Sequence, residues 1–66
     1  MMPIETGKKL TALRGNDSQE KVAKAVGISV SALSMYEQGK RTPRDEIKVK
    51  LAAYYNTSVQ NLFFAN

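Results

Sequence analysis

The sequence predicts an all-α fold, a compact five-helix domain that takes up residues 1–66. Three observations predict it. Apolar residues recur at spacings of three and four, as in Val22, Ala23 and Val26 and again in Leu33 and Tyr36, which puts each set on one helical stripe. Glycine, or a small polar residue that caps helices, stands between the stripes. No stretch of useful length alternates apolar and polar residues as a half-buried strand would.

The elements follow in order. The first helix is expected from Glu5 to Arg14, with Pro3 in the lead-in or first turn and Leu10, Leu13 and Ile4 as apolar contacts. Gly7 lowers its helicity by about 1 kcal/mol relative to Ala, so either the helix starts later or close packing compensates. Gly15-Asn16-Asp17 forms a tight turn. Ser18, or Asp17, caps the second helix, and Glu20 in its first turn suits the helix dipole. That helix ends at Val26, with Gly27 supplying the left-handed conformation a tight turn needs. Ser29 caps a third helix from Val30 to about Gln38, which Gly39 closes. Gly39 to Pro43 is a basic loop. Thr42 is expected to cap the fourth helix and Pro43 to open it, with Asp45 and Glu46 in its first turn. Ile47, Leu51 and Tyr54 or Tyr55 form its inward stripe, and Asn56 is a left-handed terminator. Ser58 caps a short fifth helix that contains Val59, Leu62 and Phe63.

Composition excludes several function classes. There is no Cys and no His among the 66 residues, so no disulfide, thiolate metal site or Ser-His constellation can be built. An enzyme is not expected, and neither a metal nor a cofactor is implied. No apolar run approaches the ~20 residues of a membrane span, and no cleavable signal is visible, so a cytoplasmic protein is expected. A chain this short has a marginal core, and self-association is the remaining route to extra stability. The net charge is +4, with eight basic and four acidic side chains in residues 1–44 and two of each in residues 45–66. A positive front half beside a neutral tail fits a polyanion-facing surface plus a separate packing or assembly element.

Residues 19–38 form two short helices about Gly27, the helix-turn-helix arrangement. Ala23 is small where the second of these helices must cross the first. Val30, Ser31, Ser34 and Met35 fall off its core stripe. Uncharged, mostly short side chains on an exposed helical face suit insertion into a DNA major groove. Val30 and Met35 are limited to apolar contacts, such as with a thymine methyl group, and Ser31 and Ser34 discriminate poorly between bases. Packing against the preceding helix is the alternative for Val30, and partial burial for Met35.

At Ser18-Gln19, Val22-Ala23, Val26-Gly27-Ile28, Leu33, Tyr36-Glu37, Gly39-Lys40 and Pro43 the chain resembles the lambda-repressor-like family of DNA-binding domains, also called the Cro or XRE type. Leu51-Ala52 and Ser58-Val59-Gln60-Asn61-Leu62 look like the family's fourth and fifth helices, so the resemblance runs from Gly7 to Phe63. It implies base contacts from Val30, Ser31, Ser34 and Met35. It implies phosphate contacts from Gln19, Gln38, Lys40, Arg41 and Arg44, for which an ordinary solvated loop is the alternative. It also implies a structural ion pair between Arg14 and Glu37. The expected function is that of a transcriptional regulator, a repressor, that binds an inverted-repeat operator in double-stranded DNA as a homodimer. Leu62, Phe63 and Phe64 are the expected dimer interface, since one Phe can cover the core while its neighbour, about 100° away, is left over. The alternative function is an antitoxin-type or other protein-interaction module built on the same motif, with a protein partner in place of, or beside, DNA.

Overall fold

Five helical segments follow one another in the computed structural model, which describes residues 3–64 and the side chains of residues 5–64. They are α1 (Pro3–Arg14), α2 (Gln19–Val26), α3 (Val30–Glu37), α4 (Asp45–Tyr54) and a π-helical turn at Gln60–Phe64. No strand occurs among the described residues.

The local signals explain most boundaries. The Ser18 hydroxyl accepts from the Lys21 amide at 3.1 Å, and the Ser29 hydroxyl accepts from Ala32 at 3.0 Å, so both serines are the N-caps. Asp17 instead forms an exposed pair with Lys21 at 3.2 Å. Helices α2, α3 and α4 stop by one device. A left-handed residue follows (Gly27 at φ 85°, Gly39 at 74°, Asn56 at 56°), and the next amide donates back to the carbonyl five residues earlier. The fifth helix is held by the Ser58 hydroxyl, which accepts from the Asn61 amide at 3.0 Å.

The core lies where α2, α3, α4 and the last turn converge on Leu10. Val22, Ala23 and Val26 meet Leu33 and Tyr36, and Ile47, Leu51, Ala52, Leu62 and Phe63 close the other side. α1 packs on α3 and on the last turn, while α2 packs on α3 and α4. The Lys9 ammonium fastens α1 to the last turn by donating to the Asn61 carbonyl at 3.1 Å.

Three expectations need correction. α1 begins at Pro3, two residues early, because the missing proline N–H costs nothing in a first turn. Leu13 is 44 % exposed and does not join the core. The inward stripe of α1 is instead Thr6, Gly7 and Leu10, with Arg14 below it, and that rotation swings Leu13 outward. Ile4, also expected in the core, lies outside the residues whose side chains are described. Finally, α4 begins at Asp45, with Arg44 as an N-cap that makes no side-chain bond, rather than at Pro43 behind Thr42. Pro43 is buried and Arg44 is extended at ψ 165°, so the chain cannot turn into a helix until Asp45.

Candidate nucleic-acid interface

The third helix presents two faces of different chemistry. Leu33 and Tyr36 point into the core, fixing the helix against α1 and α2. On the other side Ser31 is exposed, Val30 is 39 % exposed, and Ser34 and Met35 are half-buried. The four residues expected to meet bases therefore share one accessible side, and Met35 also shows the partial burial that is its alternative reading. At ~1.5 Å per residue the eight-residue helix is about 12 Å long, short enough to enter a groove end-on.

The basic loop is fixed to that helix by its backbone. The Lys40 amide donates to the Met35 carbonyl at 3.0 Å, made possible by Gly39 at φ 74°. The position of Lys40 is thus set by the same turn of helix that carries Met35. Lys40, Arg41 and Arg44 are exposed, and none forms an ion pair among the described residues. Their charge is available to an anion. Gln38 is exposed as well, but its side chain turns back along the helix, where its Nε2 donates to Ser34 Oγ at 2.7 Å.

Beneath this surface lies the polar cluster that orients α3. Arg14 Nε donates to Glu37 Oε2 at 2.8 Å and Nη2 to Oε1 at 3.2 Å, a two-pronged pair at 19 % and 5 % side-chain exposure. Arg14 Nη1 also donates to the Asp17 carbonyl at 2.7 Å, tying in the turn between α1 and α2. The hydrogen bond to Glu37 holds the Arg14 guanidinium above its ordinary pKa, although burial opposes this. Gln19 is only partly available for an anion. It is half-buried, and its Nε2 donates to Glu37 Oε1 at 2.9 Å, which leaves one amide hydrogen free. Tyr55 packs against the core, and its hydroxyl is buried without a partner among the described residues. Burial first, and then the negative charge of Glu37, push its pKa up to about 12.

The far end of the domain narrows the expected dimer surface. Leu62 and Phe63 are 2 % and 1 % exposed, spent on the chain's own core, and have almost no area left for a partner. Phe64 is 50 % exposed and stays available. Sequence reasoning missed Lys48, which is buried. Its ammonium lies 4.8 Å from the Phe64 ring centre, 5.8 Å from that of Phe63 and 3.7 Å from Asp45. A lysine three, four and seven positions before Leu51, Ala52 and Tyr55 was the available signal, since such a stem packs while its head seeks the surface.

The remainder of the described residues adds no other chemistry. They contain no group of three or more His, Cys, Asp or Glu side chains that could hold a metal ion. No helix among them is long and apolar enough to cross a membrane.

Comparison with known proteins agrees with this geometry. A sequence model of the helix-turn-helix family matches residues 4–62. No curated protein sequence matches. Among solved structures, the chain is similar to the restriction-modification controller protein C.AhdI from Aeromonas hydrophila. The TM-score is 0.82 and the identity 29 %, over 91 % of this chain and 94 % of that one.

Proposed function

The chain belongs to the helix-turn-helix family, and from that premise we propose that it is a sequence-specific, DNA-binding transcriptional regulator of repressor type. α3 enters the major groove, with Val30, Ser31, Ser34 and Met35 toward the bases. Gln19, Gln38, Lys40, Arg41 and Arg44 lie along the phosphates and supply affinity without reading sequence. A homodimer formed about Phe64 sets two such helices about 34 Å apart, so the operator is an inverted repeat. Such a protein works on chromosomal DNA in the cytoplasm and uses no cofactor.

The observation that carries this reading is the division of α3. One side is sealed by Leu33 and Tyr36 and braced through Glu37, and the other offers small uncharged groups beside a cationic loop. The likeness to a restriction-modification controller favours a second, narrower reading, in which the regulated genes are those of such a system.

Selection from a random-sequence duplex library tests the proposal. The expected product is a two-fold symmetric motif with half-sites one helical turn apart, bound more weakly as salt rises. Met35→Ala should alter the preference at one or two positions of each half-site. Recovery of no motif, with no salt-dependent binding, would reject the DNA reading.

A further inference from the structure

Gln38 is tied to Ser34 twice. Its backbone amide donates to the Ser34 carbonyl at 3.0 Å, and its side-chain amide donates to the Ser34 hydroxyl at 2.7 Å. The spacing of four puts both residues on one helical row, and the Cα–Cβ bond of Gln38 leans toward the start of the helix, so the fold-back is natural to the geometry. A free glutamine at an exposed helix end samples many rotamers, and ordering it on binding is costly. Here one amide hydrogen is already engaged. The other hydrogen and the carbonyl oxygen are left in a restricted place.

We propose that Ser34 is a positioning residue: it holds the Gln38 amide ready to donate to a DNA phosphate, and does not itself read a base. The inference rests on the DNA-binding reading above and refines it. Ser34 and Met35 are both half-buried, so burial does not separate them; Ser34 differs in that its hydroxyl already holds the Gln38 amide. A hydroxyl that already accepts a bond from Gln38 has less left to offer a base and makes a good anchor. The reading set is then Val30, Ser31 and Met35. Because Gln38 is neutral, its phosphate bond releases no counterion and leaves the salt slope alone, unlike the bond of Lys40.

A double-mutant cycle on DNA binding tests this, using a selected operator and several operators with changed base pairs. Ser34→Ala and Gln38→Ala should each weaken binding about fivefold on every operator, the double variant should be no weaker than Gln38→Ala alone, and the salt slope should not move. Ser34→Thr keeps the hydroxyl and should restore most of the loss. Thermal melting of the free variants separates folding from binding. A changed base preference in Ser34→Ala, additive losses in the double variant, or no loss from Gln38→Ala would each overturn the inference while the DNA reading stands. Failure of the parent protein to bind any duplex would remove both.

Discussion

Gly7 of α1 lies directly against the backbone of Glu37 at the end of α3. A Cβ built on Gly7 would stand 2.8 Å from the Glu37 carbonyl carbon, inside contact distance of its oxygen, and 3.0 Å from the Tyr36 oxygen. The crossing of the two helices is therefore backbone against side-chain-free backbone, and it sets how far Glu37 is from Arg14. A glycine that costs α1 about 1 kcal/mol in propensity is retained where no other residue fits.

Gly7→Ala should accordingly lower stability even though alanine is the better helix former. The obstacle is main chain and cannot rotate away, so α1 must lift from α3. The expected loss is about 1–3 kcal/mol, read as a lower urea midpoint. An unchanged or raised midpoint would mean that the helices separate without strain.

Arg14 and Glu37 should be unequal when removed. With Arg14→Met, a carboxylate at 5 % exposure keeps, among the described residues, only the Gln19 amide. With Glu37→Gln, the guanidinium still has the Asp17 carbonyl and an edge to water. The first should cost about 3 kcal/mol and the second about half of that in urea unfolding. Equal losses would show that both groups are effectively buried alike.

Tyr55 provides a pH signature. Its phenol keeps its proton up to about pH 12 in the fold, against an ordinary 10.0. The unfolded chain releases that proton first, so the contribution of Tyr55 to stability is complete below pH 10 and disappears as pH rises toward 12. Tyrosinate absorbance should therefore show a component that titrates toward pH 12 and is absent in Tyr55→Phe. Because the hydroxyl has no partner among the described residues, that variant should be as stable as the parent, within about 1 kcal/mol, or more so. A Tyr55 that titrates near the ordinary 10.0 would contradict the burial.

Much of this was legible in the sequence, and what was not has a common cause. Ser18, Ser29, Gly27 and Asn56 announce helix ends because each satisfies or turns the backbone beside it, a local matter. Thr42 looked like an equally good cap, yet the start of α4 is decided by the burial of Pro43, which depends on the rest of the fold. The face of α1 was misjudged at Leu13 for the same reason, since Gly7 and Arg14 must both address α3 and turn the helix accordingly. In the candidate site, the division of α3 into Leu33 and Tyr36 inside and Ser31 outside followed from spacing. That Gln19 would give its amide to Glu37, eighteen residues away, did not, because it requires the crossing angle of two helices.

Lys40 tests the phosphate contact apart from the base contacts. Its backbone is pinned to Met35, while its side chain is exposed and unpaired among the described residues. Lys40→Ala should weaken binding by a similar factor on every operator and reduce the logarithmic salt slope by about 0.9 per subunit. A slope that stays at the parent value would remove Lys40 from the phosphate contacts.

Phe64 is the strongest remaining candidate for the subunit contact, now that Leu62 and Phe63 are known to be buried at home. Half of its ring faces outward, and burying that area is worth about 2 kcal/mol in each subunit, tempered by the ordering that association demands. The Lys48 ammonium, 4.8 Å from the ring centre, limits the positions the ring can take, so part of that ordering is done before subunits meet. Phe64→Ala should raise the dimer dissociation constant at least tenfold in sedimentation equilibrium, and Lys48→Met, which keeps the packed stem but drops the charge, should raise it about threefold. The order matters: a greater effect from Lys48 than from Phe64 would mean that charge, not apolar area, holds the subunits together. A dimer indifferent to both would move the contact to Val49 or Leu13, the other large apolar side chains exposed outside α3 among the described residues.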